Sequence, residues 1–259
     1  MTKIMLILSA MLLFGCDSDD GNNDTDNTND SETGNGSGTD GTDNQEGDTY
    51  PEPDKIVALT FDDGPDVTKT NEVLDKLETY GAKASFFEIG QKMSESTKDT
   101  MLRIVSLGCD IQNHSWSYNA MDSMTAEEIE KSVNDTTAAI EEYAGISPSF
   151  FRPPNLATSD VMYETIPYPF ASGLMANDWE ASATPESISD TILNHVKDGT
   201  IILLHDHQPP TPHPTIEALD TILPTLRAEG YEIVTLPQLF EKKGVDPASK
   251  TTGMWTQVN

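Results

Sequence analysis

Between residues 55 and 259 the chain alternates short apolar runs with longer stretches in which apolar side chains recur every three or four positions. The runs at 56–61, 84–89, 109–113, 149–152, 170–175, 200–204 and 231–234 have the length and composition of buried strands. The periodic stretches predict helices at 69–80, 97–107, 125–144, 185–196 and 215–229. The plainest is 125–144: Thr125 and Glu128 form a capping box, Ile129, Val133 and Ile140 share one face, and Gly145 ends it. Strands separated by helical patterns in this way predict a parallel α/β fold, either a small barrel or a doubly wound sheet. Cys109, inside a predicted buried strand, reads as an inert core thiol.

The first 54 residues break the pattern. One Lys precedes an apolar core from Ile4 to Phe14, followed by Gly15 and Cys16, which is the layout of a secretory signal. Residues 13–16 (LFGC) resemble the bacterial lipoprotein box, so 1–16 is expected to be removed up to a lipid-modified Cys16. The protein is then expected to be exported and lipid-anchored to a bacterial membrane. Asp17 resembles an inner-membrane retention signal, which favours the periplasmic face of that membrane; the cell surface is the other location. Residues 17–54 contain 13 acidic residues, no Lys or Arg and no aliphatic side chain. A segment with nothing to bury cannot offset the entropy of ordering itself, so it is expected to be a disordered acidic linker that tethers the domain at 55–259.

The charge balance narrows the function. The whole chain carries a net charge of −29, and 55–259 keeps 31 of the 44 acidic residues against 14 of the 15 basic ones. That excludes a nucleic-acid binder that works by neutralising phosphates. Two cysteines cannot build a disulfide framework, and no apolar run reaches the ~20 residues a membrane-spanning helix needs. A monomer with a carbohydrate partner and no nucleic acid is the resulting expectation once the chemistry below is included.

In parallel α/β folds, reactive side chains gather where strands end. The first strand is followed by Thr60-Phe61-Asp62-Asp63-Gly64-Pro65, in which two adjacent carboxylates on a strand end point opposite ways, one toward a metal and one toward a water. The third is followed by Asn113-His114-Ser115-Trp116-Ser117-Tyr118-Asn119, the fourth by Arg152-Pro153-Pro154-Asn155, the fifth by Asn177-Asp178-Trp179, and the sixth ends in Leu203-Leu204-His205-Asp206. An acid pair, two histidines and an arginine on one rim predict a metal-assisted hydrolase rather than a binding module.

These motifs resemble, in order, those of the polysaccharide deacetylases with NodB homology (carbohydrate esterase family 4), over about residues 56–240. The resemblance implies a distorted (β/α) barrel of seven or eight parallel strands. It implies removal of N-acetyl groups, or O-acetyl groups, from a carbohydrate polymer or oligomer such as chitin fragments or peptidoglycan. It also implies a divalent metal, zinc or cobalt. By the same resemblance Asp62 is the base, His205 the acid, Arg152 the residue that holds the base, and Asp178 the support of the acid. Trp179, Leu203 and Asn155 would contact substrate, with Leu203 lining the acetyl methyl slot, and Asp63 and His114 would be metal ligands. The family's further histidine is replaced by Tyr118, so the third ligand position falls to Tyr118, Asn119 or water. His207 and His213 sit on the loop after the sixth strand and read as solvent-facing. An O-acetyl xylan esterase, or a carbohydrate-binding protein of the same fold with decayed catalysis, are the competing readings.

Overall fold

The structure, a computed structural model, describes residues 50–207 and 213–259. The expected signal segment, Cys16 and most of the expected linker lie outside the described residues. The last residues of that linker are nevertheless part of the domain. The Tyr50 ring lies under the Arg227 guanidinium at 4.9 Å, and the Asp54 N–H donates to the Gly230 carbonyl. Tyr50 and Asp54 therefore pack with the domain, because an aromatic ring and a backbone donor both find partners there.

Among the described residues six parallel strands form the sheet: β1 (Lys55–Asp62), β2 (Ser85–Glu88), β3 (Asp110–Asn113), β4 (Leu174–Met175), β5 (Ile201–His205) and β6 (Tyr231–Val234). The helices are α1 (Lys69–Thr79), α2 (Lys98–Ser106), α3 (Ala126–Ala144), α4 (Asp160–Thr165), α5 (Pro185–His195), α6 (Pro214–Ala228) and α7 (Leu236–Lys243). The strands run in the order β3-β2-β1-β5-β4, with β6 alongside the first half of β1. Single bridges Asn113↔Phe151 and Phe151↔Phe170 continue the path from β3 round to the segment that carries β4. Because β4 pairs with β5, the path closes on itself as the distorted (β/α) barrel expected from the sequence.

Two predicted strands are reduced to fragments for identifiable reasons. At 149–152 only Phe151 bridges, since the Ser149 and Phe150 N–H groups donate to the Gln112 side chain and Pro153 and Pro154 have no N–H to give. At 170–175 the C-terminal tail intrudes: Trp255 N–H donates to Phe170, and Ser172 N–H donates to Trp255. Helices α4 and α7 are additions to the predicted set. Helix α3 is as predicted, with the Thr125–Glu128 capping box formed and Gly145 left-handed at φ 71°.

The period of two along β1 explains both the core and the site. Val57, Leu59 and Phe61 face outward into the main hydrophobic cluster, against Leu74 and Leu77 of α1, Ile192 of α5 and Leu219 and Leu223 of α6. Ile56 and Ala58 belong instead to a second cluster closed by Leu236 and Phe240 of α7 and by Val258 of the tail. Thr60 and Asp62 follow on that same side of the strand. This column is therefore apolar at its base and polar at its mouth. Burying each such Leu or Ile contributes ~1.5–3 kcal/mol, which is what holds the polar mouth in register.

Candidate active site

The register of β1 against β5 sets Asp62 opposite His205, and that against β2 sets Asp62 opposite Phe87. Asp62 Oδ1 accepts from Arg152 Nη1 at 2.5 Å, with the two side chains 5% and 0% exposed. Arg152 is fixed at every nitrogen: Nε donates to the Ala171 carbonyl, Nη2 to the Ser172 carbonyl, and Nη1 also to Thr60 Oγ1. Its guanidinium plane lies 4.0 Å from the Phe87 ring centroid. Burial pulls the guanidinium's proton affinity down, and the Asp62 carboxylate opposes that pull. A buried arginine bonded at all three nitrogens is a rigid clamp on one carboxylate.

His205 is held in the same manner by a carboxylate of its own. Its Nδ1–H donates to Asp178 Oδ1 at 2.8 Å, and its backbone N–H donates to Asp178 Oδ2, also at 2.8 Å. Thr215 at the start of α6 donates to Asp178 Oδ2 at 2.7 Å, a partner the sequence motifs gave no sign of. Burial opposes the imidazolium, but the hydrogen bond and charge of Asp178 outweigh it and push His205 up to about 9. At neutral pH the ring is therefore a charged proton donor, with Nε2 facing Asp63 Oδ2 at 3.9 Å.

Between these pairs sit Asp63 and His114. Strand alternation would turn Asp63 away from Asp62, but Asp63 leaves β1 at φ 83°, a left-handed conformation that an aspartate adopts only at a cost. The turn brings its carboxylate back, so both carboxylates face the same histidine: His114 Nε2 lies 3.4 Å from Asp63 Oδ1 and 3.8 Å from Asp62 Oδ2. The expectation that the two acids point opposite ways is corrected by this one torsion. His114 Nδ1 is 2.7 Å from the Arg152 carbonyl, which it can reach only as a donor, leaving Nε2 as the metal-type lone pair.

Among the described residues no three of His, Cys, Asp and Glu are grouped closely enough to hold a metal ion by themselves. Two donors do fit one. The 3.4 Å between His114 Nε2 and Asp63 Oδ1 is long for a hydrogen bond and equals the ~3.4 Å edge expected between tetrahedral nitrogen and oxygen ligands of a zinc-sized ion. Both groups are buried, and they open onto a cavity of about 410 Å³ through which water could complete the set.

Tyr118 lines the same cavity as these two donors. Its hydroxyl donates to the backbone carbonyl of Asp63 at 3.1 Å, and burial together with the surrounding carboxylates drives the phenol well above its usual range. A protonated phenol committed as a donor has no anionic oxygen to offer. Asn119, His207 and His213 are not among the residues that line the cavity. Asn119 is exposed and outside the cavity lining; His207 lies 3.2 Å from Asp66; and His213 is buried, outside the lining, and lowered by burial to about 4. His213 thus corrects the solvent-facing expectation.

The expected substrate residues all line the cavity. Leu203 forms a nearly closed wall at 2% exposure, Trp179 stands edge-on to His205 with ring centroids 5.2 Å apart, and Asn155 turns at φ 58° beside Pro154. Among the described residues the non-glycine positions with positive φ are Asp63, Ser115, Asn155, Leu156 and Asn177, and each adjoins a site residue or lines the cavity. Strained backbone concentrated at one mouth is characteristic of a functional site. A second cavity, of about 370 Å³, opens between Tyr50, Arg227 and Tyr231 and contains none of these acid–base groups.

A clamped carboxylate and a charged histidine facing each other across metal-type donors define a hydrolase of the metal-assisted kind. Comparison with known proteins agrees. A family profile described as polysaccharide deacetylase matches residues 49–167. A family 4 acetyl xylan esterase from Clostridium thermocellum, solved with a cobalt ion, superposes with a TM-score of 0.77 at 52% identity, over 79% of this chain and 99% of that one. A peptidoglycan-N-acetylglucosamine deacetylase of Bacillus cereus is 33% identical over 74% of this chain and 92% of its own. A bifunctional xylanase/deacetylase of Pseudobutyrivibrio xylanivorans is 43% identical over 80% of this chain but only 34% of its own, so this chain spans about a third of that relative. The chain belongs to the polysaccharide deacetylase family, carbohydrate esterase family 4.

Proposed function

We propose that this protein is a metal-dependent deacetylase that removes acetyl groups from a polysaccharide or its oligomers, and that it works while anchored to a bacterial membrane through Cys16. The observation that carries the reaction is the separation of roles in the buried site: Asp62 is clamped by Arg152, and His205 is clamped by Asp178, on either side of the Asp63–His114 pair. Asp62 is placed to take a proton from an attacking water. His205, charged and oriented through Nδ1, gives a proton from Nε2 to the departing nitrogen or oxygen. A divalent cation held by Asp63 and His114, zinc or cobalt, supplies the polarising charge for the acetyl carbonyl and the water. Leu203 offers a dry wall for the methyl group, and Trp179 a face for the sugar ring.

Both bond types suit this machinery. The peptidoglycan deacetylase likeness supports an N-acetyl amino sugar as substrate. The higher identity to the acetyl xylan esterase supports an O-acetyl ester on xylan as the second reading. Acetate release from chitin oligomers, peptidoglycan and acetylated xylan, with and without added zinc or cobalt, tests both. Release from none of them under any metal condition overturns the reading.

A further inference from the structure

The turn at Asp63 has to be held by something, since a left-handed aspartate relaxes unless its surroundings over-determine it. Two donors converge on its carbonyl: Lys92 Nζ at 2.5 Å and the Tyr118 hydroxyl at 3.1 Å. Lys92 ends a short turn, Gly90–Lys92, that is itself stapled to both site loops. Ile89 N–H donates to the Gly64 carbonyl, Gly90 N–H to Ser115 and Gln91 N–H to Trp116. The ammonium also stands 5.1 Å from the Tyr118 ring centroid.

Beneath the turn lie two carboxyl groups that the reaction does not use. Glu88 is fully buried with neither oxygen hydrogen-bonded, and Asp206 Oδ1 is likewise without a partner. Both press on Gly64: a Cβ there would fall 2.5 Å from Asp206 Oδ2 and 2.6 Å from Glu88 Oε2. The charge of Lys92 is felt by Asp206, Asp63 and Glu88 together. A flexible lysine is thus confined between the buried acids and one carbonyl oxygen.

We infer that Lys92 is a positioning residue, which holds the Asp63 turn so that the Asp63 carboxylate faces His114. This rests on the metal-dependent reading above. The bland alternative is that Lys92 only neutralises Glu88 and Asp206, and the two differ in sign. Removing a nearby positive charge by itself tightens binding of a divalent cation, whereas releasing the turn weakens it.

The test is cobalt binding to the metal-free full-length chain by titration calorimetry, comparing Lys92→Met in a Glu88→Gln background with Glu88→Gln alone. Glu88→Gln lowers the buried charge that Lys92→Met would strand, and thermal melting checks the fold. The expected result is cobalt binding weakened about tenfold, with kcat falling alongside it and KM nearly unmoved. Cobalt binding that is unchanged or tighter overturns the inference. If Lys92→Met does not fold, Lys92→Gln in the same background takes its place with the same two outcomes. A wild type that binds no cobalt overturns the metal-dependent reading together with this inference.

Discussion

At the scale of single residues, two adjacent aspartates are held by different means. Asp62 answers to Arg152, and Asp63 to its own backbone turn. Asp62→Asn is therefore expected to lose ~10²–10⁴-fold in acetate release, the range for a general base, while keeping most of its bound metal. Asp63→Ala is expected to lose both. Elemental analysis after dialysis checks this, and equal metal loss in the two variants would contradict the division of roles. Tyr118→His puts an imidazole where a committed donor now stands, and is expected to slow metal loss to a chelator. Much of this was legible beforehand, since Asp62, Asp63, His114, Arg152, Asp178 and His205 lie in compact motifs at strand ends. For Tyr118, type and spacing do not reveal whether a hydroxyl donates or ligates. Thr215 and Lys92 were missed for a related reason: their partners are 37 and 29 residues away in sequence, and nothing local marks them.

At the scale of elements, helices with a strong local signal were found to within a residue or two, and those defined by tertiary contact were not. Helix α7 carries a Thr235–Gln238 capping box and a Gly244 stop, yet its apolar face is only Leu236, Leu239 and Phe240. So short a stripe gains meaning only against the Ile56 and Ala58 column it closes. Strand β3 carries its own liability. Burial raises Asp110 to about 6, against hydrogen bonds from Gln112, Ser85 and Thr235. Because the folded chain holds this proton more tightly than the unfolded one, the contribution to stability is complete below pH ~4 and is lost as pH rises through about 6. Asp110→Asn, which cannot ionise, is expected to raise Tm by ~3–6 °C at pH 8 and to leave it nearly unchanged at pH 4. Calorimetry at the two pH values decides it, and an equal shift at both would assign the gain to packing instead.

At the scale of the molecule, the contacts that close the barrel all fall inside one unit. The barrel closes through single bridges at Phe151 and Phe170 and through a tail whose Trp255 and Val258 bond to Phe170 and Gly199. Its N-terminal edge is sealed by Tyr50 on Arg227 and by the Asp54 and Lys55 N–H groups, which both donate to the Gly230 carbonyl. All of these contacts lie within residues 47–259, which form one compact unit. A chain cut to Gly47–Asn259 should therefore keep the Tm and acetate release of the full protein. Cut instead at Lys55, it forfeits the Tyr50 and Asp54 contacts and is expected to melt lower by a few degrees, about 1 kcal/mol of stability. The anchor proposed at Cys16 makes the opposite demand. The full-length chain should take up labelled palmitate and sediment with membranes, and Cys16→Ser should abolish the uptake or leave an uncleaved precursor. The Gly47–Asn259 chain, exported behind an unrelated signal, should stay in the soluble fraction with full activity. Membrane association that survives both changes would mean the domain itself carries the attachment, even though no helix among the described residues is long and apolar enough to cross a bilayer.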